Sequence, residues 1–238
     1  MVKVKDYEFS DIKVLQSWHS NAKAWVRVID RAAIPSRRLA TDRAIMEAIL
    51  THNPTNVLDI GCGEGWLARC LAAEGIEVCG IDGVAELIAE AKRRGQVRQH
   101  FCTLRYEDLQ PQAFGHKFDV LVCNFSLIGR EATNAVFSRA RSLLNPQGYF
   151  LVQTLHPLTS CGDEGYHDGW RPGSWEGIDG NFQEAAPWYF RTLASWVNLF
   201  CENGLTLSSL REPINPVTNK PASLILIGQF RPLPHNTD

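Results

Sequence analysis

Apolar residues first recur at helical spacing at Ala22, Trp25, Val26 and Ile29, and Pro35-Ser36 interrupts that pattern before a second helix begins near Thr41. From Asn56 the period changes. Val57-Leu58-Asp59-Ile60 is a short apolar strand running into glycines, and a helical run from Trp66 to Glu74 follows it, ended by Gly75. Strand and helix then alternate: Ile76 to Ile81 as strand, Val84 to Arg94 as helix, Val97 to Thr103 and Phe118 to Cys123 as strands, Glu131 to Leu144 as helix, Tyr149 to Thr154 as strand. Such alternation predicts a parallel sheet with right-handed crossovers. Between His156 and Pro187 it lapses into a stretch rich in Gly, Pro and Trp, longer than an ordinary connection and therefore expected to be a lid or binding loop. Phe190, Leu193, Trp196, Val197 and Phe200 then form a helical core stripe. Leu205 to Leu210 and Ser223 to Phe230 close the chain as two strands joined by a Pro-containing loop, which predicts an antiparallel pair. The expectation is a doubly wound α/β fold: a mostly parallel seven-stranded sheet with an antiparallel last strand, N-terminal helices and an inserted lid.

At about 100 to 200 residues per domain, a chain of 238 residues accommodates one large domain with a cap. Its expected organisation is a helical cap over residues 1–50 and the α/β sheet domain over residues 51–238, with the lid at 156–190. With 24 Lys and Arg against 26 Asp and Glu, bulk charge would not hold the protein on a polyanion, so no nucleic-acid partner is expected. Seven scattered cysteines without a Cys-x-x-Cys pair resemble neither a disulfide framework nor a zinc site; no metal is expected, and a reducing cytoplasm is. No apolar stretch approaches the roughly 18 residues of a membrane span, and the first residues lead into no signal-peptide core, so a soluble, unexported protein is expected.

Chemistry begins at Asp59-Ile60-Gly61-Cys62-Gly63-Glu64-Gly65-Trp66, where a strand enters a glycine turn and then a helix. Glycine lets a ligand touch backbone, and the helix start offers free N–H groups, so a nucleotide-like ligand fits there. Val78-Cys79-Gly80-Ile81-Asp82 adds a carboxylate at the end of the next strand, where doubly wound folds hydrogen-bond ribose hydroxyls. A dinucleotide fingerprint would place its third glycine at position 66, but Trp66 stands there and the glycine comes one residue early, at Gly65.

That spacing, with Asp59 two residues before the first glycine, closely resembles motif I of the class I S-adenosylmethionine-dependent methyltransferases, a Rossmann-like family. The resemblance runs over roughly residues 35 to 230 in element order and is nearest the small-molecule branch typified by ubiquinone-biosynthesis and type 11 or 12 methyltransferases. It implies S-adenosylmethionine as cofactor, with backbone at Gly61 and Gly63 near its methionine part, Asp59 helping to hold its amino end and Asp82 on its ribose. In Pro35-Ser36-Arg37 it implies an arginine, Arg37, for the cofactor carboxylate. Leu104-Arg105-Tyr106 departs from the family by placing Arg105 where an Asp usually meets adenine, which leaves the backbone N–H of Tyr106 for that contact. Asn124, after the fourth strand, becomes a cofactor-site candidate near the reactive methyl.

His156 follows the fifth strand on the edge where such sheets bind ligands, and is the candidate catalytic base; the alternative is a loop histidine capping the strand end. Trp188, Tyr189 and Arg191, in a segment that lies near the acceptor in the relatives, are the substrate candidates, Arg191 being suited to an anionic group. The implied activity is transfer of a methyl group to an O, N or C nucleophile of a small molecule by in-line displacement. Two readings stay open on the residues. One is an NAD-dependent oxidoreductase, against which the early third glycine counts; the other is a non-catalytic cofactor-binding protein. Base methylation of nucleic acid is disfavoured, because Asn124-Phe125-Ser126-Leu127 stands where an Asn-Pro-Pro-aromatic motif would be.

Overall fold

The computed structural model describes residues 9–231; residues 1–8, including the stretch weighed above as a signal segment, and 232–238 lie outside the described residues. Helix α1 (Asp11–Asp30), a π-helical turn at Arg37–Thr41 and helix α2 (Asp42–Leu50) precede the first strand. Then β1 (Asn56–Ile60), α3 (Trp66–Ala73), β2 (Glu77–Asp82), α4 (Ala85–Arg94), β3 (Gln99–Thr103), β4 (Phe118–Asn124), α5 (Glu131–Leu143) and β5 (Leu144–Thr154) follow. A short α6 (Pro157–Ser160), β6 (Gly169–Arg171), β7 (Trp188–Phe190), α7 (Leu193–Glu202), β8 (Thr206–Arg211), the two-residue strands β9 (Ile214–Asn215) and β10 (Lys220–Pro221), and β11 (Leu224–Gln229) complete the chain.

Seven strands form one sheet in the order β3-β2-β1-β4-β5-β11-β8. Strands β1 to β5 pair in parallel, and β11 is antiparallel to both β5 and β8, so the last strand of the chain enters between them. The central strands β1, β4 and β11 read as near-continuous apolar runs because both faces are covered, whereas the edge strands β3 and β8 are largely polar and exposed. Successive side chains point to opposite faces: Leu58, Leu121, Phe150 and Leu226 meet Phe137 of α5 and Phe200 of α7, while Val57, Val120, Leu151 and Ile225 meet Ile45 of α2 and Leu67 of α3.

Two boundaries differ from expectation for local reasons. Strand β5 begins at Leu144, which pairs with Phe118; the register shifts before Val120, and Gln147 takes φ +71° in the kink, so the Asn-Pro-Gln-Gly turn lies inside the strand. The 156–190 segment, expected as a lid, also carries a β-pair, with Trp170 opposite Tyr189 and Arg171 opposite Trp188. Helix α1 is tied down at both ends: Asp11 accepts from the N–H groups of Glu131 and Ala132 at 3.2 and 2.9 Å, capping α5, and Arg94 Nη1 of α4 donates to Asp30 at 2.6 Å. Between them the buried Asn21 accepts from the Gln183 N–H at 2.6 Å and donates to the Glu184 carbonyl at 3.2 Å, holding the lid onto the helix.

Candidate active site

A cavity of about 810 Å³ opens where the carboxyl ends of β1, β2, β4 and β5 meet α1 and the lid, the edge at which open α/β sheets take ligands. Its floor is the glycine turn. The N–H groups of Gly61 and Cys62 both donate to the Ile81 carbonyl, at 2.8 and 2.9 Å, which locks the turn against β2. Gly61 has φ +77°, and a Cβ there would lie 2.2 Å from the Tyr106 hydroxyl and 2.3 Å from Ser126 Cβ. The displaced third glycine has its own use: Gly65, at φ +83°, caps α3 in the left-handed conformation against Phe101 and Ala91.

Acidic groups gather behind and beside this turn. Asp82 accepts from the N–H groups of Gly63 at 3.0 Å and Val84 at 2.9 Å, one bond on each carboxylate oxygen. Two bonds leave outward lone pairs for ligand hydroxyls. Burial raises its pKa, and the two N–H donors partly offset that. Asp59 is 1% exposed, does not border the cavity, and has an Oδ2 without a hydrogen-bond partner among the described residues. Burial first, then the negative charges of Asp82 and Glu64, push its pKa up from 3.8 to about 8. Arg37 stands opposite, on the cavity wall, its Nε donating to Asp42 Oδ1 at 2.9 Å and its guanidinium 4.6 Å from the centroid of the Trp66 ring.

At the end of β4, Asn124 borders the cavity with a buried Oδ1 that has no partner among the described residues. The chain turns immediately after it: Phe125 takes φ +52° while its N–H donates to the Gln153 carbonyl at 2.8 Å. Tyr106 reaches across from the β3 loop, and its hydroxyl donates to the Ser126 carbonyl at 3.4 Å. Its side chain thus packs on the glycine turn, a role that the expectation of a backbone adenine contact did not include. Trp188, Tyr189 and Arg191 border the far side of the cavity, where the Tyr189 N–H donates to the Ile128 carbonyl at 2.8 Å and anchors β7 beside the loop after β4.

The candidate base is placed elsewhere. His156 is 3% exposed, does not border the cavity, and its Nε2 lies 2.7 Å from Glu212 Oε1 on the far side of β5. Its carbonyl accepts from Thr159 and Ser160, so the residue starts α6. Sequence position put it at the correct sheet edge, but the ring follows its carboxylate partner away from the site. His156 is thus placed in contact with Glu212 and outside the cavity lining, in the arrangement of a loop histidine at the strand end.

Several wall residues were not foreseen. Trp18 and Trp25 lie seven positions apart on one face of α1, ring centroids 5.2 Å apart, and Trp18 meets Trp175 of the lid at 5.7 Å. The helical spacing was the available signal, but it reads equally as core stripe. Glu64, 1% exposed, accepts from Arg69 Nη2 at 2.6 Å and Arg94 Nη1 at 3.5 Å, bracing the turn from behind. Among the described residues no group of three or more His, Cys, Asp or Glu side chains is placed to hold a metal ion, and no helix is long and apolar enough to cross a membrane.

A seven-stranded sheet of order 3-2-1-4-5-7-6 in sheet-strand count, with a glycine turn after its first strand and an acid ending its second, is the class I methyltransferase architecture. A family model of the methyltransferase domain matches residues 17–210, and the chain belongs to that family. Among curated relatives it is similar to the ubiquinone biosynthesis O-methyltransferase of Histophilus somni, 34% identical over 108 residues (42% of this chain, 44% of that protein). The corresponding Cereibacter sphaeroides protein is 33% identical over 115 residues (47% and 45%). The matched segment thus spans less than half the length of these relatives. In fold the chain is similar to the Burkholderia thailandensis 1,6-didemethyltoxoflavin-N1-methyltransferase, whose structure holds 1,6-didemethyltoxoflavin and S-adenosylhomocysteine; the TM-score is 0.65 at 19% identity, covering 98% of this chain and 92% of that one. It is also similar to an S-adenosylmethionine-dependent methyltransferase structure from Listeria monocytogenes, with TM-score 0.62 at 21% identity, covering 79% and 96%.

Proposed function

We propose that this protein is an S-adenosylmethionine-dependent methyltransferase acting on a small molecule. The observation that carries the reading is the continuity of one cavity from the Gly61–Gly63 turn and Asp82 to the aromatic chamber at Trp188 and Tyr189. The donor set fits the cofactor. Asp82 keeps free lone pairs for ribose hydroxyls, Arg37 offers a cation to the carboxylate, and the buried Asn124 Oδ1 on the cavity wall lacks a partner among the described residues, while Asp59 lies behind the turn and, once ionised, is a negative charge available to the ligand's ammonium. The backbone of Tyr106 remains the proposed adenine contact.

The cofactor, when bound, supplies a preactivated methyl group on a sulfonium whose leaving thioether is neutral. The protein therefore needs no acid at the leaving group, and its task is alignment and exclusion of water. The tie of Asn21 to the lid at Gln183 and Glu184 closes α1 and the lid over the site, and Trp25 lies beside Gly63, where a Cβ would be 3.9 Å from its Nε1. The relatives named above are described as O- and N-methyltransferases, and an O or N nucleophile suits the same arrangement here. All seven cysteines are free, which favours work in a reducing cytoplasm. Single-turnover incubation with methyl-labelled cofactor and a panel of small phenols, amines and acids tests the activity; label transfer to at least one supports it, and cofactor binding without any transfer supports a non-catalytic binding protein instead.

A further inference from the structure

The far end of the cavity holds a buried cation with no carboxylate in contact with it among the described residues. Arg191, just after β7, is 4% exposed and borders the cavity. Its Nη1 donates to the Gly129 carbonyl at 3.2 Å and its Nη2 to the Arg130 carbonyl at 3.0 Å. A guanidinium has five N–H donors, so neutral carbonyls use only part of the fork. Among the described residues no acid forms an ion pair with it. The neighbouring acids are committed elsewhere: Asp11 to the N–H groups of Glu131 and Ala132, Asp168 to the Thr192 N–H at 2.8 Å and the Ser195 hydroxyl at 2.5 Å.

Other shielded arginines of this chain differ. Arg37 pairs with Asp42, Arg94 with Asp30 and Glu90, and Arg171, 7% exposed, with Glu164 at 2.7 Å. Burial lowers the pKa of Arg191 to about 10, which still leaves it cationic at neutral pH. Asp168 and Asp11 still attract the guanidinium from a distance, but neither is in contact with it. A buried cation without a contacting carboxylate is costly, and a ligand carboxylate placed on it recovers part of that cost. Aromatic surface frames the spot: the Arg191 guanidinium lies 4.7 Å from the Tyr189 ring centroid and 5.3 Å from that of Trp196, with Trp188 on the same wall.

We propose that the methyl acceptor is an aromatic carboxylate, its ring against Tyr189 and Trp188 and its carboxylate on the free N–H groups of Arg191. The inference rests on the methyltransferase reading above and narrows its acceptor. The fork of a guanidinium matches a planar carboxylate, and neither a neutral amide nor an alcohol supplies the missing charge.

The test is calorimetry of the full chain saturated with S-adenosylhomocysteine, titrated with two isosteric pairs: salicylate against salicylamide, and indole-3-carboxylate against indole-3-carboxamide. At least one acid is expected to bind about tenfold or more tightly than its amide. That preference is expected to vanish in Arg191→Gln and to shrink in Arg191→Lys, which keeps the charge but not the fork, with S-adenosylhomocysteine affinity unchanged in both. Should Arg191→Gln not fold, Arg191→Lys and the wild-type acid-to-amide ratio decide. Equal binding of acid and amide, no binding of either while S-adenosylhomocysteine binds, or a preference that survives in the Arg191 variants overturns the proposal. Failure of S-adenosylhomocysteine itself, seen before any acceptor is added, overturns the methyltransferase reading and this inference with it.

Discussion

Replacing Asp59 by Asn separates the stability of the fold from the electrostatics of its ligand site. The carboxyl is buried behind the glycine turn, and burial together with Asp82 and Glu64 holds its pKa at about 8 against an ordinary 3.8. In the folded protein it therefore keeps its proton up to about pH 8, while the unfolded chain releases it above 3.8. Across that window the unfolded state binds fewer protons, so wild-type stability falls as pH rises, by about 1.4 kcal/mol per pH step. From 3.8 to pH 7 the cost reaches at most about 4 kcal/mol. Asn is neutral and nearly isosteric, so Asp59→Asn removes this cost: its stability gain should be near zero at pH 4 and reach roughly 2 to 4 kcal/mol at pH 7. Urea unfolding of both proteins at pH 4, 5.5 and 7 measures it. The same substitution should weaken S-adenosylhomocysteine binding, because the ligand's ammonium favours an ionised Asp59. In the wild type, binding at pH 7 should accordingly release up to one proton, visible in calorimetry as heat that varies with the buffer's ionisation enthalpy. A gain at pH 4 equal to that at pH 7, or an Asn variant less stable at pH 7, would refute the reasoning.

Other perturbations read other parts of the site. Asp82→Asn sets an amide against the Gly63 or Val84 N–H and removes a charged acceptor, so S-adenosylhomocysteine affinity should fall about tenfold or more; unchanged affinity in calorimetry rules out the ribose role. Gly61→Ala drives a methyl onto Tyr106 and Ser126 at φ +77°, and should cost about 2 to 4 kcal/mol in denaturant unfolding; a cost below about 1 kcal/mol would mean that Tyr106 swings aside freely. His156→Gln should lower stability by about 1 kcal/mol through its lost contact with Glu212 while leaving methyl transfer within about threefold. A loss of about a hundredfold in turnover with unchanged stability would restore it as the base.

Much of the architecture was legible because each strand and helix declares itself locally. The apolar runs at Val57, Val120 and Leu151 and the helical stripe through Trp196 and Phe200 carry their periods in sequence, and the glycine turn and Asp82 carry their spacing. What was not legible depends on distant partners. No local signal turns His156 toward Glu212, 56 positions away, or makes Asp11 cap a helix 120 positions on. The β6–β7 pair within the lid comprises three residues on each strand, too few to show alternation. That Arg191 meets carbonyls and no contacting carboxylate among the described residues is likewise a fact of tertiary packing, although the residue type had already marked it as a substrate candidate.

The central claim, that the glycine turn and Asp82 hold S-adenosylmethionine, is tested most directly by titrating the protein with S-adenosylhomocysteine and, in parallel, with NADH. Micromolar binding of S-adenosylhomocysteine and none of NADH is the result this account predicts; silence with S-adenosylhomocysteine and binding of NADH would contradict it.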